Sequence, residues 1–357
     1  MDREDVGPGG AWPVVVRVPV EPVEAVVEAD AVDAVARAGD VVVRGPLFGV
    51  AARHPGDGPR WRVVIAVTDG CPQQARDGLN SLLWFRAKDE AHDRAERREL
   101  LAAVARLESE RVDELVVAGT RYRVVRAEEY AGSGADGIEP PRPTDPEPAV
   151  PDWDRGSREP EVDGGLLLDP DTPLAPSQAL ERLALRGLCY AGERFPEAVR
   201  DDSRRALDTH PDVLLLPPTF TVVEQSGARG WKPVSGPHAT AHAARKSLDF
   251  ALTWMWPRMH GHIPIDADPR TDARNPAPDG PRPAELAAYA EAADALRAGL
   301  VNRLEFQGAV YRVARTRRLL RWSPDGPEGP RPSDVNTQDP TRMHPPLDED
   351  GRVLPED

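Results

Sequence analysis

An internal repeat constrains the fold of this chain more than any other feature of its sequence. Residues 119–126 (Gly-Thr-Arg-Tyr-Arg-Val-Val-Arg) match residues 308–315 (Gly-Ala-Val-Tyr-Arg-Val-Ala-Arg) at an offset of 189 positions. The match continues without a gap to Asp145 and Asp334, and 12 of its 27 aligned positions are identical. A match of this kind indicates that one structural unit occurs twice. We therefore expect two similar units, formed by an internal duplication.

Weaker matches extend both copies toward their N-termini. Asp40–Phe48 aligns with Asp212–Phe220 at an offset of 172, and Trp61 aligns with Trp231 at an offset of 170. The second copy is about 20 residues longer in its central region, which places an insertion at Pro257–Pro283. This insertion is rich in proline and has no apolar period, so we expect it to be an exposed surface loop.

Apolar periodicity predicts the same order of elements in each unit. In the first copy, valines and alanines at helical spacing predict a helix over 21–38, and β-branched runs predict three short strands between 40 and 67. A helical region over 72–109 and a hairpin over 112–127 follow. The predicted order of elements in each unit is α-β-β-β-α-α-β-β. This order predicts an α+β fold with mainly antiparallel sheets and helices packed on them.

The predicted domain organisation has five segments. They are an N-terminal extension (1–17), a first α+β repeat (18–147), a proline-rich linker with a short helix (148–190), a second α+β repeat with the inserted loop 257–283 (191–335), and an acidic, proline-rich tail (336–357). The composition of the tail predicts that it is disordered.

Charge and cysteine content exclude several classes of partner. Acidic residues outnumber basic ones 60 to 45, so the chain would repel a nucleic-acid backbone. Cys71 and Cys189 lie far apart and outside any CxxC motif, which predicts neither a disulfide framework nor a thiolate metal site. No apolar run approaches the ~20 residues of a membrane span, and the N-terminus lacks the features of a signal peptide. We expect a cytoplasmic protein that binds neither nucleic acid nor membrane.

The candidate binding residues lie on the repeated hairpin. They are Tyr122 and Arg126 in the first copy and Tyr311 and Arg315 in the second. Alternation along a strand places each arginine on the same face as its tyrosine. A guanidinium at the edge of an apolar face suits a carboxylate or phosphate ligand. The alternative is an internal ion pair with an aspartate of the segment that follows, Asp136 or Asp145.

Four histidines of the second copy offer a candidate metal site: His238, His242, His260 and His262. The first two lie four residues apart, on one face of a predicted helix, and Asp266 and Asp268 follow in the insertion. The residue after His238 is alanine, so the glutamate of an HExxH motif is absent. The alternative is that these histidines are solvated or cap helices. We assign no metal ligand and no cofactor to the sequence.

Three segments resemble an uncharacterised family of proteins from streptomycetes and related actinobacteria, which is grouped as a domain of unknown function. They are Gly45–Val50, Asn80–Glu90, and Tyr122–Arg126 followed by Pro141-Arg-Pro143. The likeness covers most of the chain and implies no activity.

No Walker loop, Rossmann glycine fingerprint or GxSxG elbow is present, so the sequence predicts no enzyme class. We expect a non-enzymatic binding or regulatory protein in which the two units pack about a pseudo-twofold axis, with a protein or a small molecule as partner. The alternative is a metal-dependent hydrolase that uses the histidines of the second repeat.

Overall fold

The strands of this chain join into one antiparallel sheet with helices packed against it. A computed structural model describes residues 13–226, 230–277 and 283–354. Each strand pairing among these residues is antiparallel. The predicted α+β class is confirmed.

The elements before the second unit follow the predicted order closely. They are α1 (Pro22–Arg37), β1 (Asp40–Arg53), β2 (Trp61–Asp69), α2 (Pro72–Phe85), α3 (Arg94–Leu107), β3 (Glu114–Val117), β4 (Thr120–Gly134) and β5 (Gly137–Ile138), and then β6 (Leu167–Leu168) and α4 (Pro176–Leu185) in the linker. A π-helical turn, Arg86–Glu90, continues α2.

The second unit repeats this order with additional short elements. They are α5 (Glu197–Thr209), β7 (Asp212–Leu215), β8 (Thr219–Ser226), β9 (Gly230–Pro233), α6 (Ala241–Phe250), α7 (Trp256–Met259), α8 (Pro283–Gly299), β10 (Arg303–Phe306), β11 (Ala309–Ser323) and β12 (Gly326–Pro327). A π-helical turn, Ala251–Met255, continues α6.

The two long strands β4 and β11 lie side by side in the middle of the sheet. The strand order is β6-β2-β1-β4-β11-β8-β9, with β3 and β5 paired to β4 and with β7, β10 and β12 paired to β11. Tyr130 of β4 lies opposite Arg317 of β11, and Glu128 lies opposite Leu319. Hydrogen bonding between β4 and β11 therefore joins the two units into one sheet.

In the first unit, one strand replaces two of the predicted strands. Residues 40–44 and 47–53 form the single strand β1, whose register against β4 shifts between Val43 and Gly45. Gly45 has a φ of 146°, a conformation that glycine adopts without steric cost and that allows a bulge in place of a break. In the second unit, Pro217 and Pro218 separate β7 from β8, because proline cannot donate to a ladder.

Apolar side chains pack between the sheet and its helices. One core cluster lies between the first half of the sheet and α2 and α3, and includes Phe48, Leu83 and Leu100. A second cluster lies between β8, β11 and the helices α6 and α8, and includes Phe220 and Tyr289. Helix α1 contributes little to either cluster. Its buried residues are Ala31 and Ala34, whereas its valines are exposed.

The insertion at Pro257–Pro283 is not the exposed loop that the sequence predicted. Ile263 and Ala273 are buried in the second core, and the backbone N–H of Ala273 donates to the carbonyl of Thr253 at 2.8 Å. Single apolar residues without a period gave no signal of this packing. Residues 278–282 of the insertion lie outside the described residues.

The acidic tail lies against the first unit, contrary to the expected disorder. The ring of His344 stacks on Trp84 with centroids 4.6 Å apart, and the indole N–H of Trp84 donates to the carbonyl of Pro345 at 3.0 Å. Leu347 packs against the first core. Composition alone could not indicate these contacts, because each depends on a surface of the folded first unit.

Candidate functional site

The segment that follows each long strand crosses to the other unit. Arg126 of β4 donates from Nε to both carboxylate oxygens of Asp334, at 3.2 and 2.9 Å. Arg315 of β11 donates from Nε to both oxygens of Asp145, at 2.9 and 3.0 Å. The backbone N–H of Arg126 also donates to the carbonyl of Glu328 at 3.0 Å, and that of Arg315 donates to the carbonyl of Glu139 at 2.8 Å. We call residues 139–145 and 328–334 the crossing segments.

Further contacts in the two crossing segments recur at an offset of 189. Arg142 donates from Nε to Glu139 at 2.7 Å, and Arg331 donates from Nε to Glu328 at 2.7 Å. Each crossing segment is thus stabilised by an arginine and a glutamate of its own before it reaches the other unit.

Each crossing segment also contacts the first helix of its own unit. Asp30 of α1 accepts a hydrogen bond from the backbone N–H of Thr144 at 3.3 Å, and Asp202 of α5 accepts one from the backbone N–H of Ser333 at 2.8 Å. The segments therefore connect the helix of one unit to the long strand of the other.

The four predicted binding residues are buried to different degrees and contact the protein itself. Arg126 and Tyr122 are each 2% exposed, and the Tyr122 hydroxyl accepts a hydrogen bond from Arg86. Tyr311 packs on the ring of Trp256, with centroids 5.0 Å apart. Arg315 is 5% exposed and lines a cavity. The aspartates bound by both arginines come from the opposite unit, whereas the sequence pointed to the segment directly following each strand.

Three of the four histidines of the candidate metal site contact other residues through their rings, whereas Nε2 of His238 is buried without a hydrogen bond to any described residue. No group of three or more potential metal ligands is found in the part of the chain that the structure describes. The described contacts are between His242 Nε2 and the carbonyl of Asp152 at 2.8 Å, between His260 Nδ1 and the Tyr289 hydroxyl at 2.6 Å, and between His262 Nδ1 and Glu285 at 2.8 Å. These contacts bind the rings to the protein itself.

A cavity of about 690 Å³ lies where the two units meet the linker helix. We call it the junction cavity. Helices α1 and α4, the start of β1, the end of β4 and two arginines of β11 form its walls. The volume is in the range of small-molecule sites, which are mostly apolar with a few polar groups. Its apolar lining includes Val32, Val35, Val41, Leu180, Ala184 and Leu185.

Three polar side chains are bound together at one side of the junction cavity. The hydroxyl of Tyr130 donates to Glu181 at 2.8 Å, and Arg317 donates from Nη1 to the same carboxylate. Burial raises the pKa of Tyr130 to about 12 and lowers the pKa of Arg317. Glu181, from the linker helix α4, therefore connects a residue of the first unit to a residue of the second.

Two of the three arginines that line the junction cavity have hydrogen-bond donors without partners. Nε and Nη2 of Arg317 make no hydrogen bond to any residue that the structure describes. Nη1 of Arg315 is buried without a hydrogen bond, and its ion-pair contact with Glu139 is 3.7 Å long. An unpaired buried donor costs free energy, which a ligand acceptor can recover.

The model of one protein family matches residues 21–337, from the residue before α1 through both units to the first residues of the tail. The chain belongs to DUF5954. DUF5954 is described as a family of unknown function. The search of curated proteins and the search of solved structures found no match.

In this DUF5954 chain, the junction cavity is present beside the first unit and is filled at the corresponding place in the second. At the offset of 189, Gly132 of the cavity wall aligns with Arg321, and Ala131 aligns with Leu320. Arg321 is buried and donates to the carbonyls of Leu188 and His210. The smaller residues of the first unit leave the larger space.

Sequence reasoning missed Tyr130, Glu181 and Arg317 as site residues. Arg317 aligns with Glu128 in the first copy, so a search for residues shared by both copies passes over it. Its position two residues after Arg315 was the available signal, because strand alternation places the two arginines on one face. Glu181 lies in the linker, for which the repeat gives no alignment.

Proposed function

We propose that this DUF5954 chain is a non-enzymatic binding or regulatory protein whose small-molecule site is the junction cavity. One observation carries the proposal: apolar walls and unpaired arginine donors converge in a cavity of about 690 Å³. Binding sites in proteins combine these two properties. The walls come from both units and from the linker, so a bound ligand would contact all three.

We propose that the two units arose by duplication and pack about a pseudo-twofold axis. The pairing of β4 with β11 supports this, because an offset of 189 exchanges its members. Tyr130 lies opposite Arg317, while the residues aligned with these two, Leu319 and Glu128, lie opposite each other. The crossing segments repeat the same reciprocity. Symmetric pairs of this kind are the usual result when one surface binds a copy of itself.

We also propose a cytoplasmic location. Cys71 and Cys189 are free thiols, which suits a reducing compartment. Among the described residues, no helix is long and apolar enough to cross a bilayer. The net charge of −15 makes a nucleic acid an unfavourable partner. The actinobacterial origin stays a prediction from the resemblance.

The proposal is tested by filling the cavity and measuring the binding of a fluorescent naphthalene probe. Ala184 lines the cavity from α4, whereas Ala36 is exposed on α1 and lies outside the cavity lining. Ala184→Phe should weaken probe binding about tenfold or more, because the added ring occupies the cavity. Ala36→Phe is the matched control and should bind as the wild type does. Equal binding by both variants would contradict the proposal.

A further inference from the structure

We infer that the junction cavity takes an electrically neutral, apolar ligand that carries a hydrogen-bond acceptor, such as the carbonyl oxygen of a ketone or an ester. The inference rests on the proposed function and adds the chemical class of the ligand. It differs from the carboxylate or phosphate that the arginines suggested in the sequence, because the folded protein supplies its own carboxylates.

Each arginine of the cavity lining already faces a carboxylate of the chain. Arg315 binds Asp145, whose side chain is 5% exposed, and Arg317 binds Glu181. The third arginine, Arg142, binds Glu139 at 2.7 Å. The positive charges are therefore neutralised before any ligand enters. A further anion would add an unpaired charge to a partly buried site, which costs more than a hydrogen bond returns.

The acidic side chains of the lining already have hydrogen-bond donors or lie exposed to water. Glu28 accepts hydrogen bonds from the backbone N–H and the hydroxyl of Ser177, both at 2.7 Å. Glu139 and Glu181 bind arginines. The fourth acid, Asp40, is exposed at the start of β1, where water screens it.

Among the buried polar atoms of the lining, the one left without a hydrogen bond is an N–H donor, Nη1 of Arg315. Nε and Nη2 of Arg317, whose side chain is 12% exposed, make no hydrogen bond to the described residues either. A neutral oxygen acceptor satisfies a donor without changing the charge of the site. The apolar walls then bury the rest of the ligand. A site with an unpaired donor also discriminates against ligands that lack an acceptor.

The test compares four probes of similar length on the full chain: methyl heptyl ketone, nonanoate, nonylamine and nonane. Each competes with the fluorescent naphthalene probe for the wild-type protein. Methyl heptyl ketone should bind about tenfold more tightly than each of the others, because it alone pairs the donor without adding charge. Tighter binding of nonanoate or nonylamine would overturn the inference.

A charge variant tests the reason for this preference. Glu181→Gln retains an oxygen acceptor for Tyr130 and Arg317 but leaves the arginine charge unmatched. The affinity for nonanoate should rise about tenfold relative to the affinity for the ketone. Glu110→Gln is the control, because it removes the negative charge of the exposed Arg106–Glu110 pair away from the cavity. An equal effect of Glu181→Gln on both probes would overturn the inference.

The remaining outcomes separate this inference from the proposed function. If the naphthalene probe binds but none of the four competitors displaces it, the ligand class is wrong and the site stands. If the naphthalene probe does not bind to the wild-type protein, the proposed function fails, and this inference fails with it.

Discussion

The ion pairs between the long strands and the crossing segments predict which residues have coupled effects on the free energy of unfolding. Arg126 and Asp334 have side chains that are 2% and 5% exposed, and their contact is bidentate on the carboxylate. Arg126→Met removes the charge while keeping most of the volume. Asp334 then retains the hydrogen bond that it accepts from the backbone N–H of Arg331 at 2.7 Å. Breaking a buried pair from one side costs about 3–5 kcal/mol, so we expect the free energy of unfolding to fall by that amount.

A double-mutant cycle measures the pair itself. Arg126→Met, Asp334→Asn and the double variant are unfolded in urea at pH 7, with tryptophan fluorescence as the signal. The double variant should be less destabilised than the sum of the single variants, by about 1–3 kcal/mol, because the two residues are in direct contact.

A second double-mutant cycle, on Arg126 and Asp145, is the control. Asp145 is the residue equivalent to Asp334 in the segment that directly follows Arg126 in the sequence. Asp145 binds Arg315, so Arg126→Met and Asp145→Asn should be additive within about 0.5 kcal/mol. Coupling between Arg126 and Asp145, together with additivity between Arg126 and Asp334, would refute the crossing of the segments.

Three further predictions concern the tail, the insertion and one half-buried acid. His344→Ala should lower the free energy of unfolding by about 1 kcal/mol through loss of its aromatic stacking, whereas the neighbouring Met343→Ala, at a 42% exposed residue, should have little effect in the same urea assay. Ile263→Ala should cost about 2–5 kcal/mol because it leaves a cavity in the second core, and thermal unfolding should show Ile265→Ala, 85% exposed, close to wild type. Burial raises the pKa of Asp69 from 3.8 to about 6, so the protonated carboxyl contributes stability below pH 3.8, and this contribution is lost as the pH rises through 6. Asp69→Asn should therefore flatten the dependence of the free energy of unfolding on pH between pH 4 and 7. An unchanged pH dependence would contradict this.

Local elements could be predicted from the sequence because local rules determine them. Helix α1 was predicted over 21–38 and spans Pro22–Arg37, since proline suits the first position of a helix. Which face of α1 is buried could not be predicted. The predicted apolar stripe contained both valines and alanines, and the structure buries only Ala31 and Ala34 of it. Burial depends on the partner surface, and α1 contacts it through its small residues.

The partner of each repeated arginine lay beyond sequence reasoning for a different reason. Asp145 and Asp334 are aligned residues in near-identical segments, so either could pair with Arg126. Only the relative position of the two units selects between them, and that position follows from the pairing of β4 with β11. The candidate site was partly predictable: Arg315 was identified from the repeat, whereas Glu181 required the docking of the linker helix.

The crossing of the two segments has a consequence for recombination between members of this family. Arg126 and Asp334 lie 208 residues apart, and Arg315 and Asp145 lie 170 residues apart, so the linker 148–190 separates the partners of both pairs. A hybrid chain that changes parent within the linker would take the two members of each pair from different parents. Such chimeras test the compatibility of both charge pairs at once, whereas a change of parent before α1 leaves both pairs intact.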